Sequence, residues 1–458
     1  MKMNAVGPTM NIGYIHDRGT GYGRFGFELH SALARAGVED CGPVGLNGEI
    51  HSEVVTPVAF FAATPPHVIG WREGQLSALF SMFEFSEMPA GFRENLPDFG
   101  RLFVPSLQNL ELFSNFNDDV RYIPLAVGSE WHYEPRTDPS QRFNFLTGGA
   151  GPRKGCNDVI RAFDKVFRGW KPSWGPEPHL TVRAASIFRA DFDHGPAATG
   201  RVMPLPDSIG GPPRVTYLRK SLTAEAELEL YRSAHCFVSG SKGEGWGFMP
   251  HQAIAQGIPT ILGDHSGHHA FAHYGIPLDS PLADPEIHTH WGDGGQEWKP
   301  DFDQMCDGML AVYRDYPLHR SAAAVSAHLI ADEFSWDKTA ALVIANLPEL
   351  ANPDLSPDGA WHTMPQRLYE VRVKQHSTWA VNGIHHTYDP GHTYWIPWAD
   401  KLRIAELGDL TPDCVDPREV GIDARMQPPD TSHERCPHCN QTYGSDTSLL
   451  PENLVGAR

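Results

Sequence analysis

The stretch from Ala234 to Gly267, AHCFVSGSKGEGWGFMPHQAIAQGIPTILGDHSG, constrains the fold more than any other part of this 458-residue chain. His235–Val238 is a short apolar run of the kind that forms a buried strand. A loop of Ser, Gly and Lys follows, then Glu244-Gly-Trp-Gly247, then a helical stretch from Phe248 to about Gln256. Gly257 suits a helix C-terminus and Pro259 cannot continue one, so the helix must end there. Thr260–Leu262 is the next strand. Strand, glycine loop, helix and strand make a βαβ unit, and open α/β sheets bind ligands beyond the carboxyl ends of their strands.

The loop carries its own chemistry. Gly243, Gly245 and Gly247 let backbone come close to a ligand. Their N–H groups precede a helix whose positive end favours phosphate. Glu244 is a carboxylate among these donors, suited to accept hydrogen bonds from sugar hydroxyls. A surface turn with a solvated Glu would carry the same letters, because glycine-rich turns are common.

The remaining chain supplies the context. Its length allows two or three domains. The net charge of −19, from 56 acidic and 37 basic residues, argues against a nucleic-acid binder. No apolar run approaches the ~20 residues of a membrane helix. The first residues lack the apolar centre of a signal peptide, so a cytoplasmic location is expected. Seven scattered cysteines fit reduced thiols.

Strand and helix signals alternate along the first 140 residues. Asn11–Ile15 reads as a strand, followed by Gly19-Thr-Gly21-Tyr-Gly23 and a helix from Phe25, with Phe25, Leu29 and Leu33 on one face and Gly37 at its end. A glycine loop between strand and helix is again a geometry for phosphate, which marks Gly21 and Gly23. Strands are expected near 55–61 and 79–83, a helix around 91–96, and Leu102–Ser106 leading into a helix over 107–113. Residues 121–124 form another strand.

A second series opens with strand 143–147, a glycine-rich loop holding Gly149, Arg153 and Lys154, and a helix over 157–167. Strands 180–183 and 214–218 follow, with an insertion over 186–213 between them. Thr223 and the acids after it start a helix over 222–231. A last helix is expected from Phe334-Ser-Trp336 through Leu347. Residues 350–359 read as a linker. Beyond it, strands at 368–373 and 394–397 and a helix at 399–407 indicate a small β-rich module. His265, His268 and His269, like His288 and His290, have no obvious partner cluster for a metal. Cys436 and Cys439 supply two zinc ligands, and more only if His433, His438 or Cys414 joins; a tail of free thiols is the other reading.

The central segment resembles the donor-binding motif of retaining family 4 glycosyltransferases of the GT-B type. Ser241 and Glu244 to Phe248 match its Ser-x-x-Glu-Gly-(Phe/Trp)-Gly loop. Phe83-Glu84…Pro89, Val104-Pro-Ser106 and Ile123–Gly128 are similar to blocks of a subset of that family. Arg153-Lys154-Gly155 is similar to its Lys-Gly motif, and Phe334-Ser-Trp336 to its terminal helix. The resemblance covers the chain to about residue 350.

It implies an α/β fold of two Rossmann-like domains facing a cleft, 1–140 on the acceptor side and 141–350 binding the nucleotide sugar. Residues 351–458 would be linker, accessory module and tail. It further implies transfer of a hexose from a nucleoside diphosphate sugar to a glycan, lipid or protein hydroxyl, a phage virion protein among the candidates. No metal or other cofactor is required by this arrangement. Lys154 and Arg153 would grip the diphosphate and Glu244 the sugar. Gly21, Gly23, Gly149, Gly243, Gly245, Trp246, Gly247 and Phe248 would complete the donor site, with Glu84 on the acceptor side.

Two departures stand out. Gln252 occupies the family's second Glu position, facing the ribose. Gly149 occupies that of a further Arg, for which Arg153 can substitute. Gln252 keeps open a degenerate nucleotide-sugar binder, while the fold also admits a nucleotide-sugar epimerase, and the C-terminal module a structural role.

Overall fold

The computed structural model describes residues 8–15, 21–43, 46, 54–149, 152–183, 202–204, 214–218, 222–284, 295–351 and six later strands between 361 and 423. The expected insertion over 186–213, His288 and His290, the helix at 399–407 and the cysteines of the tail lie wholly or mostly outside the described residues.

The first half contains strands β1 (Thr9–Tyr14), β2 (Glu39–Asp40), β3 (Val58–Ala62), β4 (Gly70–Arg72), β5 (Leu76–Phe80), β6 (Arg101–Val104) and β7 (Val120–Tyr122). All but β4 form one parallel sheet in the order β2-β1-β3-β5-β6-β7. β3 is buried throughout, as expected of a central parallel strand covered on both faces. Helix α1 (Gly21–Arg35) packs Phe25, Leu29, Ala32 and Leu33 onto this sheet. Gly37 ends the turn after it at φ +88°. α2 (Ala90–Arg93) is a single turn, and α3 (Leu107–Ser114) is capped by the Ser106 hydroxyl, which accepts from the Asn109 N–H.

The second half repeats the plan with β8 (Arg142–Gly148), β9 (Glu177–Arg183), β10 (Val202–Pro204), β11 (Arg214–Leu218), β12 (Cys236–Val238), β13 (Thr260–Gly263) and β14 (Ile276–Leu278). The sheet order is β10-β11-β9-β8-β12-β13-β14, parallel except for the β10 edge. Its helices include α4 (Cys156–Phe167), α5 (Ala224–Arg232, capped by Thr223 as expected) and α6 (Phe248–Ala255). A two-stranded hairpin, β15 (Leu282–Ala283) with β16 (Glu297–Trp298), follows β14.

Three further helices close this half: α7 (Phe302–Arg314), α8 (Tyr316–Glu333) and α9 (Trp336–Ala345). Only α9 is expected from the sequence. α8 is rich in Ala and polar residues and buries only four of its 18 positions, so it leaves little apolar periodicity to read.

α9 returns to the first half. Trp336 stacks on Phe25 with ring centroids 6.4 Å apart, and the Thr339 hydroxyl donates to the Pro124 carbonyl at 2.9 Å. One apolar cluster accordingly runs from α1 and the first sheet through Ile123, Leu125 and Trp131 to Tyr231, Trp246 and α9. Beyond it, β17 (Trp361–Thr363) pairs antiparallel with β4, and His362 stacks on Trp71 at 4.5 Å. The C-terminal region is therefore attached to the first half by a strand. The strands expected at 368–373 and 394–397 are present, as β18 (Arg367–Val373) and β21 (Thr393–Pro397), with β19 (Ser377–Val381), β20 (Ile384–Tyr388) and β22 (Val415–Asp423) besides.

Candidate functional site

The carboxyl ends of β8 and β12 place two loops against each other. After β8 the chain turns at Gly149, whose φ is +130° and whose N–H donates to the Arg183 carbonyl at 2.9 Å. It reaches Arg153 and Lys154, then Gly155 at φ +59°, which starts α4. A methyl group on Gly155 would collide with the Gly240 carbonyl, so only glycine lets these loops cross. Lys242 N–H donates to the Arg153 carbonyl at 2.7 Å and fixes the crossing.

Glu244 is the centre of the arrangement. The Lys154 ammonium donates to its Oε1 at 2.5 Å and the Ser241 hydroxyl to the same oxygen at 2.8 Å. Arg153 Nη1 stands 3.4 Å from Oε2 and also donates to the Gly243 carbonyl. Burial by itself would raise the pKa of Glu244, but Lys154, Arg153 and His268 hold it well below the usual carboxylate range. The carboxylate is thus ionised inside the protein. Lys154 and Arg153, the two cations expected here, are both ion-paired with carboxylates.

The first half contributes Glu84. Arg153 Nη2 lies 3.6 Å from Glu84 Oε1. The loop bearing Glu84 is pinned by α3: Asn109 accepts from the Phe83 N–H and donates to the Phe83 carbonyl, both at 2.8 Å. Gln108 donates to the Phe85 carbonyl at 2.9 Å. Tyr22 ties the start of α1 to the same strand end, its hydroxyl donating to the Met82 carbonyl at 2.7 Å and accepting from the Met82 N–H at 2.9 Å. Gly21 and Gly23 sit in the first turn of α1, which begins before the expected Phe25. Among the described residues nothing lies within 4 Å of where a methyl group on Gly21 would stand.

Several residues expected at the donor site have other neighbours. A methyl group on Gly243 would stand 2.5 Å from the Glu84 carbonyl oxygen, and one on Gly245 would strike Met82. These two glycines therefore make room for the protein's own first half. Gly247, at φ +99°, is the N-cap of α6 and lies against His268. Trp246 is buried, donates from Nε1 to His251 Nδ1 at 3.0 Å and packs on Phe271 and Phe334, so its ring is core rather than cleft lining. Phe248 is half-buried against the same core. Gln252 is buried, with the Tyr231 hydroxyl 3.4 Å from its Oε1. Gly149 has no room for a side chain, because a Cβ there would meet the Lys154 stem at 2.5 Å.

Other residues enter that the motif did not mark. Arg24 of α1 and Arg183 at the end of β9 both reach the buried Glu227 of α5, each at 2.9 Å. The histidines after β13 do not gather as ligands: His269 is exposed and paired with Asp264 at 2.7 Å. His265 and His268 are buried and held neutral, their pKa values pushed down to about 3 and about 4 mainly by burial. His268 donates from Nδ1 to the Gly263 carbonyl at 3.3 Å, leaving Nε2 as a buried acceptor without a partner among the described residues. No group of three His, Cys, Asp or Glu among the described residues is placed to hold a metal ion, and no helix among them is long and apolar enough to cross a membrane.

A family model described as Family 4 Glycosyltransferase in conflict systems matches residues 108–343, just over half of the chain. No curated protein matches the sequence. Among solved structures, sucrose-phosphate synthase from Thermosynechococcus elongatus aligns with a TM-score of 0.50 and 13% identity over 75% of this chain and 99% of its own. At that identity the likeness shows the fold alone. WaaG, a glycosyltransferase involved in lipopolysaccharide biosynthesis, aligns with a TM-score of 0.46 and 12% identity over 73% of this chain and 98% of its own. TarM aligns with a TM-score of 0.41 and 12% identity over 60% of this chain, and the match spans 50% of TarM's length.

Proposed function

The chain belongs to the family 4 glycosyltransferases of conflict systems, and from that premise we propose that it moves a hexosyl group from a nucleoside diphosphate sugar to an acceptor hydroxyl, with retention of anomeric configuration. The observation that carries the reading is the convergence of Lys154, Arg153 and Glu244 at the ends of β8 and β12, facing Glu84 of the first half. Two cations and a carboxylate are the groups a diphosphate sugar needs, since phosphate seeks charge-assisted donors and sugar hydroxyls seek an acceptor.

Donor binding exchanges partners. The diphosphate takes over Lys154 and Arg153, and Glu244 turns to the hydroxyls of the sugar. As the bond from the anomeric carbon to the diphosphate breaks, its electron pair stays with the leaving phosphate oxygen, and Lys154 and Arg153 stabilise that charge. The acceptor oxygen bonds the anomeric carbon as its O–H bond breaks, and the proton passes to the leaving phosphate oxygen; Glu84 accepts that hydroxyl's hydrogen bond beforehand and so orients it. Residues 1–140 then serve the acceptor and 141–350 the donor. The acceptor class is a glycan, a lipid or a protein.

Gln252 favours a second reading, a nucleotide-sugar-binding protein that no longer transfers. A panel of UDP-, GDP- and ADP-hexoses assayed for nucleotide release, with mass spectrometry of the product, separates the two. Release coupled to a glycosylated acceptor supports transfer. Binding to a donor without any release overturns it.

A further inference from the structure

Ser266 is the single non-glycine residue at positive φ among the described residues, at +43°. A side chain in that region costs backbone energy and persists where the surroundings over-determine it. The surroundings here are a closed ring of hydrogen bonds around Glu244. The Glu244 N–H donates to Ser266 Oγ at 3.1 Å, and Ser266 Oγ lies 2.8 Å from His265 Nδ1. His265 Nε2 lies 2.8 Å from the Ser241 carbonyl.

A carbonyl can only accept, so Nε2 carries the imidazole hydrogen and Nδ1 is the acceptor. The Ser266 hydroxyl therefore donates to Nδ1 and keeps its lone pairs for the Glu244 N–H. Ser241 then closes the ring, its hydroxyl donating to Glu244 Oε1 at 2.8 Å. Backbone and carboxylate of one residue are thereby held from both ends. Trp298 of β16 stacks on His265 with planes 10° apart, and the Trp298 backbone N–H donates to the Lys242 carbonyl at 2.8 Å, which holds the ring against the imidazole.

We propose that His265 and Ser266 are positioning residues for Glu244, fixing its backbone so that its carboxylate meets the transferred sugar in one orientation. The inference rests on the role proposed above for Glu244 and adds the device that aims it. Burial together with His268 keeps His265 neutral, as the ring requires, because a second imidazole hydrogen would turn Nδ1 into a donor and break it.

The test uses Ser266→Gly, which removes the hydroxyl while glycine accepts φ +43° freely. With whichever UDP-, GDP- or ADP-hexose of the panel is turned over, kcat/KM should fall roughly tenfold, the loss of one hydrogen bond that orders the site. Affinity for the corresponding nucleoside diphosphate, which has no sugar, should stay unchanged, while the melting temperature should fall only modestly, because relief of the backbone strain at Ser266 offsets part of the cost of leaving His265 Nδ1 and the Glu244 N–H unpaired. In a Glu244→Gln background, Ser266→Gly should add little further loss, because the two residues act as one unit. Long-range 15N NMR of the unliganded protein should show His265 as the neutral Nε2–H tautomer.

Wild-type turnover by Ser266→Gly beside a crippled Glu244→Gln overturns the proposal, as does additive loss in the double variant or an Nδ1–H tautomer. If Glu244→Gln itself turns over like wild type, the role of Glu244 falls, and the tautomer alone decides the ring.

Discussion

Replacing Lys154 by Met removes the ammonium and keeps most of the side-chain volume. In the folded protein that ammonium lies 2.5 Å from Glu244 Oε1, with side chains 23% and 9% exposed. Breaking a buried ion pair at one end costs about 3–5 kcal/mol when nothing replaces the lost partner. Here the Ser241 hydroxyl at 2.8 Å and Arg153 at 3.4 Å remain on the carboxylate. The expected loss for Lys154→Met is therefore about 2 kcal/mol, below that range. Adding Glu244→Gln removes the stranded charge, retains the Ser241 bond and leaves Arg153 to Glu84. The double variant should return to within about 1 kcal/mol of wild type, because both charges leave together. Transfer should not return with it. Lys154→Met and the double variant should each lose roughly 10²-fold or more in turnover, in the range of losing one stabiliser of the leaving group's charge. Thermal unfolding reads the first quantity and nucleotide release from the donor panel the second. Wild-type turnover in Lys154→Met would refute the diphosphate assignment. A double variant no more stable than the single one would refute the pairing.

Three further outcomes follow from the same geometry. His235, His251, His265 and His268 have pKa values depressed to about 4, 3, 3 and 4, chiefly by burial. Each binds its proton more readily unfolded, near pH 6.5, so the stability it confers is complete above that pH and falls by about 1.4 kcal/mol per unit as pH drops toward the folded value. Unfolding temperatures should thus decline between pH 7 and 5, and a flat profile would contradict the burial of these rings. Gln252→Glu should change KM for the donor less than about tenfold and leave kcat largely alone, the pattern of a contact equal in ground and transition states. Inert wild type restored by Gln252→Glu would show a binding relic instead. A chain ending at Leu350 should bind donor yet melt below one ending at Thr363, since only the longer chain pairs β17 with β4 and covers Trp71 with His362. Equal melting temperatures would mean that this strand adds nothing to the first half.

The sequence by itself determined the two alternating α/β series, most element positions and the loops at which the cations and carboxylates lie. Those features are local. Apolar spacing, the Thr223 cap and the glycines at 37 and 257, both at positive φ, act within one turn of chain. Only the tertiary structure decided which groups meet. Arg24 and Glu227 are 203 residues apart in the chain, and Lys154 and Glu244 are 90 apart. Strand order brings them together, and no short-range pattern records it. The same limit explains why Gly243 and Gly245 read as approaches to a ligand, although their space is filled by Glu84 and Met82 from the other half. It also explains why Trp246, beside the key carboxylate in sequence, points to the core: successive loop residues need not share a face, and a buried indole N–H settles where it finds an acceptor, here His251.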